Sequence, residues 1–257
     1  MFPGTIGLMS ERRDRAPNAG DAGGFQTTHW SLVLRAGHRE DRAAETALAA
    51  LCERYWYPLY VYVRRRTADV NEAQDLTQEF FAWLLEKNAL ASACPERGRF
   101  RGFLLTAMKN FLSNQWDRAK ARKRGGGVRR LSLDLDDGES RLRLEPAHEL
   151  TPERLYERQW VLTLLELVMR RLQEEYQSSG KAGLFERLKG GITGDRDRPA
   201  HAAAAAELGL SEEAARQAAS RLRKRYRELL REEVAHTLAE PADVDDEIRS
   251  FFAVLEG

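Results

Sequence analysis

The chain has 257 residues, 42% hydrophobic and 32% charged, with 41 Lys and Arg against 40 Asp and Glu for a net charge of +1. That length suits one large domain or two small ones with real cores, and no apolar run nears the ~20 residues that span a bilayer. Cys52 and Cys94 lack metal or redox spacing and point to buried or incidental thiols of a cytoplasmic protein rather than to a disulfide, while only 8 prolines leave long stretches that favour helices over a many-stranded sheet.

Residues 1–28 lack the apolar stretch of a signal peptide and read as a disordered leader. A helical block follows from about Thr46 to Trp116. Its first helix places Leu48, Leu51, Cys52, Tyr55, Leu59 and Tyr62 at helical spacing, with Pro58 inside, where proline kinks a helix or marks a joint. Asp69 or Asn71 caps the next helix, whose stripe is Leu76, Phe80, Trp83 and Leu84. Its other face offers Asp75, Gln78, Glu79 and Glu86. Residues 88–99 form a loop punctuated by Pro95 and Gly98. A third helix turns Phe103, Leu104, Ala107, Phe111 and Leu112 inward, runs into the basic tract Arg118 to Arg124, and stops at Gly125, Gly126 and Gly127.

Residues 125–150 make a Gly-rich, then acidic connector with a short extended piece over Arg130 to Leu135. Thr151 caps and Pro152 opens a long helix with the stripe Val161, Leu164, Leu165, Val168, Leu172 and Tyr176. Ser178, Ser179 and Gly180 end it, and Leu184, Phe185 and Leu188 mark a short helix before a loop over Gly190 to Pro199. Ala200 to Arg227 then reads as helix, tight turn and helix. Gly209 supplies the positive φ of the turn, Ser211 caps the second helix, and Glu212 and Glu213 complement its dipole. Ala214, Ala215, Ala218, Leu222 and Tyr226 share one face of that helix; Glu213, Arg216, Gln217, Ser220 and Lys224 share the other. A closing amphipathic helix carries Val244, Ile248, Phe251, Phe252 and Leu255. The fold class is all-α, with two helical domains joined by a long, partly helical linker.

A net charge of +1 alone argues against a nucleic-acid binder, but the charges are unevenly placed. From Arg97 to Arg130 the only acid among many cations is Asp117, and Arg221, Arg223, Lys224, Arg225 and Arg227 form a second basic cluster. Asn110, Asn114, Gln115 and Trp116 lie among the first set. Cations track phosphates, aromatics stack on unpaired bases and amides read base edges, which suits single-stranded DNA. The polar face of the second helix of the turn motif suits a major groove. The bland readings are a solvated helical hairpin, a Trp116 that finishes the core, and a basic tract that meets any polyanion. His29, His38, His148, His201 and His236 are scattered, and the glycine triplet lacks the strand, lysine and helix of a phosphate loop. No catalytic residue, metal or cofactor is expected.

The order of a DLTQEFF helix, an FRGFLLTAMKN helix entering a basic tract, a linker, and LGLSEEAARQAASRLRKRYREL resembles bacterial RNA polymerase sigma factors of the extracytoplasmic-function (ECF) group. The resemblance spans roughly Ala43 to Arg124 and Arg198 to Val234. It implies core RNA polymerase and promoter DNA as partners, an anti-sigma factor as a further one, and no membrane. Residues 29–124 would then be a region 2-like domain for polymerase and the −10 element, 125–198 a linker with added helices, 199–238 a region 4-like helix-turn-helix for the −35 element, and 239–257 a C-terminal helix. The resemblance puts Asp75, Gln78 and Glu79 on the polymerase-binding helix. It puts Arg99, Phe100 and Arg101 in the loop Pro95 to Arg101 that captures a flipped base. Asn110, Asn114, Gln115, Trp116 and Arg118 fall on the −10-reading helix, with Lys120, Arg122, Lys123 and Arg124 on the backbone. Ser211, Arg216, Gln217, Ser220, Arg221 and Lys224 would face the −35 groove. The chain departs from the family in its long connector and in an almost all-alanine first helix of the turn motif, which leaves that motif short of core. The helices at 153–189 and 243–255 have apolar stripes with no assigned partner; they could pack the two domains together and hold the DNA-reading surfaces shut, or be merely structural. The competing readings are a stand-alone helix-turn-helix regulator, which has no need of the DLTQEFF helix, and a helical adaptor whose basic tracts meet acidic partners.

Overall fold

The structure, a computed structural model, describes residues 42–86, 99–121, 142, 150–192, 205–207, 209–238 and 243–256. Among these residues there is no strand, and the fold is all-α. The helices are α1 (Arg42–Arg64), α2 (Val70–Glu86), α3 (Phe100–Ala121), α4 (Pro152–Ser178), α5 (Ala182–Leu188), α6 (Glu212–Ala235) and α7 (Val244–Glu256), with a 3-10 turn over Lys189–Gly191. The expected leader, the loop over 88–98, residues 122–124 of the basic tract and all of the connector from 125 to 149 except Leu142 lie outside the described residues.

Helix α1 runs unbroken through Pro58, so no joint falls there. Tertiary packing holds it: Leu59, Tyr60, Val61, Tyr62 and Val63 are all fully buried, which outweighs one missing ladder bond. Asp69, not Asn71, caps α2 by accepting the Glu72 N–H at 2.8 Å. Phe80 and Trp83 of α2 meet Phe111 of α3 at 5.6 and 5.9 Å, closing an aromatic core between the two helices.

Helix α4 is the centre of the molecule. Thr151 accepts the Arg154 N–H at 3.3 Å and Pro152 sits in the first turn, as the sequence predicts. Its buried stripe is wider than the predicted one, adding Leu155, Tyr156 and Trp160 to Val161, Leu164, Val168 and Leu172. The helix packs against α1, α5, α6 and α7, and the buried side chains form one continuous core from Leu51 to Phe251.

The turn before α6 forms as expected. Gly209 has φ +63°, and the Leu210 N–H reaches the Ala205 carbonyl at 2.9 Å. A Cβ on Gly209 would meet nothing, so it is the left-handed backbone and not space that asks for glycine. On α6, small Ala215, Ala218 and Ala219 give way to Leu222, Leu229, Leu230 and Val234, all buried. Helix α6 packs this stripe against α4. In α7, Val244 and Phe251 are buried, but Phe252, expected on the same face, is 59% exposed.

Leu172 is fully buried in this shared core. Leu172→Ala should lower the unfolding free energy by about 2–5 kcal/mol in urea titrations, and a change under about 1 kcal/mol would show that α4 is not a core helix.

Candidate nucleic-acid interface

On α2, Asp75 is exposed, while Gln78 and Glu79 are half-buried one turn along. Burial, then the neighbouring charge of Asp75, raises the Glu79 carboxyl above its ordinary value. Gln115 of α3 donates from Nε2 to Glu79 Oε2 at 2.8 Å, so the acidic face of α2 is tied to α3. Asn110, Asn114 and Arg118 are exposed on α3 and spaced four residues apart, which lines two amides and a cation along one stripe. Trp116 is half-buried, with the Arg66 guanidinium 5.3 Å from its ring while Arg66 donates to the Tyr62 hydroxyl at 2.9 Å. Lys109 pairs with Glu153 of α4 at 3.0 Å, and that hydrogen bond holds the Glu153 carboxyl below its ordinary range. Lys120 lies on α3, with its side chain outside the described residues, as are Arg122, Lys123 and Arg124.

Phe100 and Arg101 do not sit on an open loop, while Arg99 directly precedes the helix. Helix α3 begins at Phe100, and Phe100 is a core side chain, edge-on to Tyr55 at 5.3 Å and stacked on Phe103 at 5.8 Å. Arg101 shares its helical stripe with Leu104 and Met108, so its stem points inward, and only 7% of it is exposed. Its guanidinium lies 4.4 Å from the Trp160 ring centre, and its carbonyl accepts from the Tyr156 hydroxyl at 2.9 Å. Arg101 and Arg99 both pair with Glu247 of α7, a carboxylate with 0% exposure. Only Arg99 of the three is open to solvent.

On α6 the Ser211 hydroxyl accepts the Ala214 N–H at 3.1 Å. Arg216, Gln217, Ser220, Arg221 and Lys224 are all exposed. Glu213 holds Arg216 at 2.7 Å and Gln217 at 3.3 Å, and Lys224 reaches Glu228 at 3.9 Å; exposed pairs of this kind cost little to exchange. Arg225 turns the other way and grips Glu175 of α4 with two hydrogen bonds of 2.7 and 2.8 Å. Glu233, also buried, meets Arg171 of α4, with Arg54 of α1 at 3.6 Å. These partners, Glu153, Glu175, Glu233 and Glu247, were not among the predicted site residues. The signal was present for two of them: Glu233 and Glu247 each sit on the apolar stripe of their helix.

Among the described residues no cluster of His, Cys, Asp and Glu could hold a metal ion, and no helix is long and apolar enough to cross a membrane. Burial pushes the Cys52 thiol up to about 12, which keeps it protonated and unreactive. Residues 43–190 match the family model described as ECF sigma factor. No curated protein and no solved structure matches the chain.

The Glu175 carboxyl is held below its ordinary value of 4.5, first by the hydrogen bonds from Arg225. A carboxylate lowered on folding contributes stability above its unfolded value and loses it as pH falls through the folded one. Stability should therefore decline below a pH of about 4.5, and Glu175→Gln should flatten that decline in urea titrations repeated across pH. If both proteins show the same acid limb, the Arg225 grip contributes nothing to docking of α6.

Proposed function

Because the chain belongs to the ECF sigma factor family, whose members act in transcription initiation and are not catalysts, we propose that it binds core RNA polymerase and directs it to a promoter class. The observation that carries this reading is the family match over residues 43–190, which takes in α1 to α5. In this reading residues 29–124 take polymerase and the −10 element, with Asp75, Gln78 and Glu79 against the polymerase. The exposed stripe Asn110, Asn114 and Arg118 meets the unpaired strand. Melting a promoter costs unstacking energy, which stacking and phosphate contacts to the opened strand offset.

Residues 199–238 read the −35 element as duplex, through Arg216, Gln217, Ser220, Arg221 and Lys224 on the outward face of α6. That assignment rests on α6 itself, because the family match stops at residue 190. The protein works without a cofactor in the cytoplasm, with an anti-sigma factor as its antagonist. A stand-alone regulator would leave the acidic face of α2 without a task.

The primary test mixes purified protein with core polymerase and a randomised promoter library, then sequences the upstream regions of the transcripts. Paired enriched motifs at fixed spacing are expected; transcripts that do not depend on the protein would overturn the reading. Asp75→Ala with Glu79→Ala should weaken core binding about tenfold or more, measured by fluorescence titration. Asn114→Ala with Arg118→Ala should instead leave core binding intact and lower the rate of promoter opening. Equal loss of core binding in both pairs would refute the division of labour between α2 and α3.

A further inference from the structure

We propose that Arg99 and Arg101 form a phosphate site for single-stranded nucleic acid, and that Glu247 of α7 fills it in the free protein as an intramolecular substitute for the strand. The proposal rests on the sigma-factor reading and adds a regulated state to it. A glutamate is almost never fully buried unless it is paired, and Glu247 is both. One of its oxygens meets Arg101 and the other meets Arg99 at 2.5 Å, so two guanidinium groups from one chain turn converge on a single anion. Carboxylate and phosphate present the same paired acceptors to such a fork, and each can replace the other there.

The surroundings suit an unpaired strand better than a structural ion pair requires. Trp160 lies under the Arg101 guanidinium, and Phe251 of α7 packs edge-on against Trp160 at 5.4 Å. Removing α7 would take Glu247 off the two cations and Phe251 off the edge of the indole, placing cations and an aromatic side by side as in single-strand sites. Helix α7 is also bordered by open space. A solvent-open groove of about 570 Å³ lies along its seam with α4 and α6, lined by Leu165, Tyr226, Leu230, Ile248, Phe252 and Leu255. Its ion pair to α6, Asp245 with Arg231, is exposed. A helix bordered by an open groove has fewer close contacts to break on leaving than one packed on every side.

The test uses the full-length chain and a fluorescein-labelled single-stranded oligonucleotide at low salt, read by anisotropy. Glu247→Gln keeps the shape of α7 but removes the charge, and should bind about tenfold tighter than the natural protein. Arg99→Ala should change binding by less than about twofold in the natural background, where the site is filled, and remove most of the gain in the Glu247→Gln background. No gain from Glu247→Gln, or the same Arg99→Ala effect in both backgrounds, would overturn the proposal. Should thermal melts show Glu247→Gln unfolded, hydrogen exchange on the natural chain decides. Saturating oligonucleotide should speed exchange across residues 244–256, and unchanged or slower exchange there overturns the idea. Transcription with core polymerase, run in parallel, separates the two readings. If no protein directs promoter-dependent initiation, the sigma-factor reading fails and takes this proposal's regulatory role with it. Initiation without any change in oligonucleotide affinity removes α7 from the account and nothing else.

Discussion

A carboxylate withdrawn from water must be matched by cations, or the helix that carries it cannot dock. Two helices of this protein meet that condition with arginines from other elements. Glu233 fixes α6 against Arg171 of α4 and Arg54 of α1, and Glu247 fixes α7 against Arg99 and Arg101 at the start of α3. Apolar burial supplies the bulk of the favourable free energy, but it is not directional and would accept many packings of amphipathic helices. The buried charges accept few, because a slip of one turn leaves an acid and an arginine both unpaired.

The same rule sorts the basic residues of the chain. Arginines that meet a buried or half-buried acid, such as Arg101, Arg171 and Arg225, serve the fold. Those on the outward stripes of α3 and α6, such as Arg118, Arg216 and Arg221, remain open or lightly paired. A net charge of +1 therefore hides a division between cations that meet buried acids within the fold and cations left on the outward stripes. Arg99 stands between the two groups, half in solvent and half in a buried pair. That position is what would let the proposed site answer to either a protein carboxylate or a nucleic-acid phosphate.

Much of this architecture was legible in the residues. Caps at Ser211 and Thr151, the glycine at 209 and the aromatic stripe of α2 are local signals, each decided within a turn of helix, and each appears where the sequence predicts. What was missed is non-local. Pro58 breaks a helix only when packing does not hold it, and no local pattern reveals that packing. Arg101 reads as one more cation of a basic tract until its spacing to Leu104 and Met108 is noticed, and Phe100 as loop until α3 is seen to begin there. Charged residues on the apolar face of a helix are the cue that a partner exists, although the cue does not say where in the chain the partner lies.

The 27 residues of α4 have a further consequence. Its first turn is tied to α3 through Glu153 and Lys109, and its last turns are tied to α6 through Glu175 and Arg225. At 1.5 Å per residue the two anchors stand about 33 Å apart, so the helix is a spacer between the two outward stripes. It also sets their phase. One inserted residue would lengthen the spacer by only about 1.5 Å but swing one anchor about 100° around the axis relative to the other. Insertions of seven would nearly restore the facing while moving the stripes about 10 Å farther apart. The length of α4 thus fixes both the separation and the relative facing of the two stripes, whereas its exposed side does neither.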